Sequence, residues 1–273
     1  MNWFKKNKST IILIFIFFVG LSLLLYPSLS DYWNSFHQSR AIASYAESVA
    51  EIDDTKYREM WQEAKDYNER LAAKEQRWVV SEEELAEYNK ILDVGGTGIM
   101  GFIEIPTISV SLPIYHGVDE AVLQIAIGHL SGTSFPIGGV DTHCVISGHR
   151  GLPSAKLFTN LDQLRVGDLF MMRVLDDTYT YEVDQIRIVE PNDLADLEIE
   201  EDKDLCTLVT CTPYGVNTHR LLVRGHRVGN ISGNTIRVIA DAQQLDSNLV
   251  APLYAAPLLL TLLIWVLVRY RKR

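Results

Sequence analysis

Three residues in the second half of the chain have the types and spacing for acyl transfer. Cys211 ends the β-type run Thr207-Leu-Val-Thr-Cys211, just before Pro213 and Gly215 break it. A thiol at a strand end sits on a rigid frame, and its thiolate form, favoured by a neighbouring cation, is the nucleophile. Nine residues later Arg220 opens another β-type run. If the turn between them lays the two strands side by side, guanidinium and thiol share one cleft, where the Arg can also hydrogen-bond an oxyanion. His149 stands in Ser147-Gly-His-Arg-Gly151, after the apolar run Cys144-Val-Ile. Its glycine neighbours let a substrate backbone approach, and an imidazolium there protonates the amine that departs once the thiolate has attacked a carbonyl. Spacing alone does not bring His149 to Cys211.

The remaining thiols, histidines and charges read as structural. Cys144 and Cys206 have no activating neighbours in sequence and pack as small hydrophobes, although an outer compartment would also permit a disulfide between them. With three cysteines in total, at least one stays free or pairs with another chain. No Cys-x-x-Cys or His-x-x-x-His pair fixes ligands on one element, so no metal is expected. No Gly-rich phosphate loop is present either, and no cofactor is expected. His116 and His129 read as turn residues, His219 and His226 as rim residues, and Arg150 and Arg224 as surface groups. The acidic stretches Asp176-Asp177 and Glu198 to Asp204 lack calcium-loop spacing and read as solvated loops.

Short β-type runs must position the three candidates. They fall at Met100 to Ile105, Val110 to Tyr115, Thr142 to Ser147, Leu169 to Val174, Thr178 to Val189, Leu205 to Cys211 and Arg220 to Val228. Strands at that spacing, punctuated by Gly, Pro and Asp, predict a closed or nearly closed barrel. Short helices fit at Asp119 to Ala126 and Ser154 to Thr159. Upstream, residues 31–74 lack Gly and Pro and read as one or two amphipathic helices forming a charged stalk. Ser81 and Glu84 resemble a capping box, and the Gly-rich break after Asp93 marks a domain boundary near residue 95.

Both ends look membrane-bound. Ile11 to Tyr26 and Val250 to Val268 are charge-free apolar runs, each near the roughly 20 residues that span a bilayer. Lys5, Lys6 and Lys8 precede the first; Arg269, Arg271, Lys272 and Arg273 follow the second. Basic flanks stay cytoplasmic, so the intervening domain faces outward, and the first run is an anchor or a cleaved signal peptide. The expected organisation is a tail and helix at 1–30, a stalk and possible lid region at 31–95, the barrel at 96–235, a linker at 236–249 and a second membrane helix with its tail at 250–273. The net charge is −10, and the tails hold 7 of the 25 basic residues and none of the 35 acidic ones. The remainder therefore carries −17, which argues against a nucleic-acid partner.

Thr207-Leu-Val-Thr-Cys211 with an Arg nine residues on is similar to the TLxTC signature of sortases, and Gly148-His-Arg-Gly151 resembles their histidine segment. The longer strings IYHGVDEAVLQIAIGHLSGTS, SGHRGLPSAKLFTNLDQL and TCTPYGVNTHRLLVRGHR resemble the pilus-assembling class C branch, as does the C-terminal apolar run; the likeness covers roughly residues 85–230. It implies a mainly-β fold, an eight-stranded sortase barrel with short helices, an N-terminal helical segment and terminal transmembrane helices. Carried over by position, Cys211 is the nucleophile, His149 the general acid/base and Arg220 the oxyanion stabiliser or substrate clamp. The implied reaction cleaves an LPxTG-like sorting signal through a thioester and passes the acyl group to a pilin lysine. Implied partners are pilins or other surface proteins carrying that signal, and the implied location is a Gram-positive plasma membrane, with a multi-pass enzyme whose catalytic domain lies outside. The alternatives are a sortase that uses a peptidoglycan stem-peptide amine, a non-catalytic scaffold for pilus assembly, and a plain cysteine protease. Class C sortases commonly carry a lid with an Asp-Pro-aromatic motif, and no Asp-Pro pair occurs here. Trp78 is the aromatic placed to fill that role, or simply to pack the helical segment onto the barrel. Gly148 and Thr210, beside the base and the nucleophile, are candidates for contacting substrate.

Overall fold

In the computed structural model, residues 8–230 and 255–265 are described. Side chains alternate along each strand because successive Cβ atoms point to opposite faces. In the strand Asp204–Thr212, Cys206, Leu208 and Thr210 are buried while Val209 and Cys211 are only partly covered. The eight strands are β1 (Ile99–Ile105), β2 (Val110–His116), β3 (Ile127–His129), β4 (Thr142–Ser147), β5 (Leu169–Val174), β6 (Asp177–Val189), β7 (Asp204–Thr212) and β8 (His219–Val228). They close in the order β1-β2-β3-β4-β7-β8-β6-β5. The pairs β2/β3 and β4/β7 are parallel and all others antiparallel. The expected eight-stranded barrel is therefore present, with Ile103, Ile114, Ile146, Phe170, Tyr181, Leu208 and Val223 among the side chains that fill it.

Among the described residues five α-helices accompany the barrel: α1 (Lys8–Ala50), α2 (Asp54–Ala72), α3 (Glu82–Tyr88), the single turn α4 (Glu120–Leu123) and α5 (Ala255–Trp265). Residues 31–74 fall mostly in helices, as their composition predicted. α1 runs unbroken from the apolar stretch, through Pro27, to the barrel. There the Tyr45 hydroxyl donates to the Met100 carbonyl at 3.0 Å and accepts from the Leu175 amide at 2.8 Å. α2 is capped by Asp53, whose carboxylate accepts from the amides of Thr55 and Lys56. It buries Met60, Ala64, Tyr67 and Leu71 against the barrel. Those residues recur every three or four positions and form one helical stripe, which the many charges between them mask. The capping box is present: Ser81 Oγ accepts from the Glu84 amide, and the Glu84 carboxylate accepts from the Ser81 amide.

No helix forms at Ser154 to Thr159. The Phe158 amide, which would close the first turn onto Ser154, donates instead to the His149 carbonyl at 3.1 Å, while the Lys156 amide donates to the Asp31 carboxylate at 2.9 Å. His116 and His129 are not turn residues but buried strand residues, held by Ile91 and Gly98 in the first case and by Tyr88 and Ser134 in the second. Among the described residues one helix, α1, is long and apolar enough to cross a membrane, and α5 is a shorter apolar helix within the second run. The linker at 236–249 and the basic residues Lys5, Lys6 and Arg269 to Arg273 lie outside the described residues.

Candidate active site

Pairing on both sides of β7 assembles the site. On one side β8 runs antiparallel with Cys211 directly opposite Arg220, and residues so opposed share a face. On the other side β4 runs parallel, with Ser147 beside Val209. The pairing continues one step past the strand: the Gly148 amide donates to the Val209 carbonyl at 3.0 Å, and Thr210 Oγ1 donates to the Gly148 carbonyl at 2.8 Å. His149 follows Gly148 and Cys211 follows Thr210, so a parallel pairing that spacing alone does not reveal brings together two segments some sixty residues apart in sequence.

The Arg220 guanidinium hydrogen-bonds the His219 carbonyl at 3.1 Å, and no carboxylate pairs with it among the described residues. Arg224, on the same face, is by contrast taken up by Asp184 at 3.0 Å and Glu200 at 2.7 Å. His149 Nε2 lies 3.7 Å from a carboxylate oxygen of Glu120. Glu120 is 73% exposed, so the pair adds little stability.

Gly148 and Thr210 belong to the scaffold rather than to a substrate-facing surface. Both are buried and bonded to each other. A Cβ at Gly148 would stand 2.7 Å from Ile127 Cγ2 and 2.8 Å from Phe158 Cδ2, so packing, not an approaching substrate, demands glycine there. Arg150 is likewise no surface group, since its side chain is only 10% exposed. It pairs with Asp162, reaches Thr212 Oγ1 at 3.4 Å and lies over the Tyr214 ring at 5.7 Å. It therefore ties the residue after His149 to the residue after Cys211. Arg150 and Glu120 are the site residues that sequence reasoning missed; the adjacency of Arg150 to His149 was the available signal, and Glu120 had none.

Below Cys211 the outer face of β4, β7 and β8 continues as an apolar floor of Val145, Val209 and Leu222, with Leu197 from the β6–β7 connection. Trp78 packs on this floor. Its indole donates to Glu198 at 3.0 Å, and the Arg77 guanidinium lies 4.2 Å from its ring and pairs with Glu198 at 2.9 Å. Against the pull of burial, hydrogen bonds from Trp78 and Arg77 hold the Glu198 carboxyl below its usual range. Beneath the same loop, burial lowers His143 to about 4. As a neutral ring it donates from Nδ1 to the Glu198 carbonyl and accepts at Nε2 from Thr207, both at 2.7 Å.

The Sortase domain family matches residues 103–228. Sortase D of Bacillus subtilis is 30% identical over 131 residues, which are 47% of this chain and 63% of that protein. The chain spans just 51% of another relative, Sortase A of Streptococcus agalactiae, at 29% identity. Among solved structures, sortase C1 of Streptococcus agalactiae superposes with a TM-score of 0.69 at 54% identity, covering 70% of this chain and 99% of that one. Sortase C of Clostridium perfringens, solved with the C-terminal cell wall sorting motif, gives a TM-score of 0.61 at 38% identity, covering 70% and 100%.

Proposed function

Because the chain belongs to the sortase family, we propose that it is a cysteine transpeptidase that cleaves an LPxTG-like sorting signal and joins the acyl part to a pilin lysine. The observation that carries this reading is the register that sets Cys211 opposite Arg220 and pairs the segment leading into His149 with the Cys211 strand. In the first half-reaction the Cys211 thiolate attacks the scissile carbonyl. Arg220, with no competing carboxylate, stabilises the oxyanion. His149 as imidazolium gives its proton to the departing amine, leaving a thioester on Cys211. In the second half-reaction neutral His149 takes a proton from the incoming lysine amine, which attacks the thioester and frees the thiol. Roles for Glu120 and Arg150 follow from their contacts: one orients the ring, the other holds its loop against the thiol strand.

The apolar floor of Val145, Val209 and Leu222 is the proposed seat of the sorting signal. Trp78, pinned by Arg77 and Glu198, occupies part of it as a cover, in place of the missing Asp-Pro-aromatic lid. The enzyme is a plasma-membrane protein anchored by α1 and by a second helix that includes α5, with the barrel outside. The test is the intact mass of the detergent-solubilised full chain after mixing with an LPxTG-type peptide, with and without a lysine-bearing pilin fragment. A Cys211-dependent adduct that passes to lysine is expected. An adduct that passes only to a stem-peptide amine would replace pilin polymerisation with wall anchoring. One that passes only to water would indicate a protease, and none at all a binding scaffold.

A further inference from the structure

The long helix sets how the barrel stands on the membrane. The Cys211 end of the barrel is the end where β4 and β7 finish and β3 begins. Working round the sheet, β1 starts and β5 finishes at the opposite end. α1 lies along the barrel between these two ends in a fixed sense. Nearest the apolar stretch, Asp31 accepts from the Lys156 amide, Asn34 donates to the Ser154 carbonyl at 2.7 Å and Gln38 donates to the Ile125 carbonyl at 2.8 Å. All three partners are site-end loops: Ser154 and Lys156 follow His149, and Ile125 precedes β3. Farther along, Tyr45 reaches Met100 and Leu175 at the opposite end.

Resting on the anchoring role given to α1 above, we propose that the catalytic end of the barrel faces the membrane and that its rim sits in the phospholipid interface. A helix rises 1.5 Å per residue, so Asn34 is about 12 Å beyond Tyr26, the last residue of the apolar run. One headgroup layer is roughly 5–8 Å thick, so Asn34 stands about 4–7 Å beyond its outer edge. The helix also carries exposed Tyr26, Leu29, Tyr32, Trp33 and Phe36, the aromatic girdle of a membrane–water boundary. The girdle therefore spans the height at which Asn34 holds Ser154. At that level the barrel offers exposed Ile125, Tyr214 and Val216, the last two in the turn directly after Cys211. This apolar rim is continuous with the anchor, and its partner is the bilayer surface. A polypeptide emerging from the same bilayer would then meet Cys211 within its first few residues outside.

The test uses the full chain in vesicles of phosphatidylcholine and phosphatidylglycerol with brominated acyl chains. Tryptophan is placed at two matched exposed valines, Val216→Trp at the site end and Val140→Trp in the turn before β4 at the opposite end; these valines are 65% and 67% exposed. The expected result is a loss of the emission added at position 216 and no loss of that added at position 140. As a second measurement, Val216→Asp should slow turnover of a bilayer-tethered substrate about tenfold, the equivalent of one buried valine, with the soluble-peptide rate unchanged. Vesicle co-flotation with equal quenching at both positions, or none at 216, would overturn the orientation alone. Failure of the full chain to float with vesicles would overturn the anchoring role as well.

Discussion

Two cysteines on the same strand, Cys206 and Cys211, have opposite fates. Five residues apart in an extended chain, they point to opposite faces. Cys206 points into the barrel, fully buried beside Met172 at 3.7 Å and directly across from Cys144. Burial pushes its thiol well above the usual range, so it is inert. Cys211 points outward at the strand end, partly exposed, with an uncompensated guanidinium opposite. Reactivity is therefore set by parity and by distance from the end of the strand, not by residue type. The histidines of the β4 edge repeat the contrast: His143 is on the same face as His149 but buried mid-sheet as a neutral ring, whereas His149 lies just beyond the strand.

The strongest test of this contrast is to remove each thiol. Cys211→Ala should lower transpeptidation by about 10⁴-fold or more, while Cys206→Ala should leave the rate per folded molecule unchanged. Iodoacetamide should modify one thiol in the native protein and three in denaturant; native labelling of Cys206 would break the distinction.

Arg220→Lys keeps the charge but loses the planar fork. It should cost about 10²- to 10³-fold in kcat/KM, as for the loss of one oxyanion donor. Wild-type kinetics in that variant would remove the guanidinium from the account of Cys211 reactivity.

His143 sharpens the contrast through pH. The folded protein keeps it neutral down to about pH 4, while an unfolded chain protonates it near 6.5. Between those values the unfolded state binds more protons, so the contribution is complete above pH 6.5 and is lost as pH falls toward 4. The loss is about 3 kcal/mol for a shift of that size. Urea midpoints at pH 7, 6 and 5 should decline, and His143→Gln should flatten the decline; an equal slope in both proteins would assign it elsewhere.

Arg150→Gln should lower kcat about tenfold by loosening the His149 loop against Cys211, and should shift the pH–rate profile because the charge beside His149 is gone. A changed thermal midpoint with unchanged kinetics would make Arg150 a packing residue only. The smallest effect belongs to Cys206→Ala, about 1–2 kcal/mol of stability from the void left in the barrel.

The barrel was legible because its strands are short, β-rich and bounded by breakers. So were Cys211 and Arg220, which need only one turn to meet. The meeting of β4 with β7 was not legible, since a parallel pairing over some sixty residues leaves no local mark in sequence. Arg150 and α2 were misread for a common reason: charge suggests exposure, yet Arg150 is buried by pairing with Asp162, and α2 hides one apolar stripe among solvated side chains. The unformed helix at 154–159 failed because the His149 carbonyl, just upstream, takes the Phe158 amide that would have closed its first turn.

The seam between β1 and β5 is held by only three paired positions, Phe102 with Arg173, Ile103 with Met172 and Glu104 with Met171. Just beyond them the Tyr45 hydroxyl bridges Met100 and Leu175, so an α1 side chain reinforces this short seam. A barrel cut free of α1 would therefore lose two hydrogen bonds that link the start of β1 to the residue after β5 outside the strand ladder.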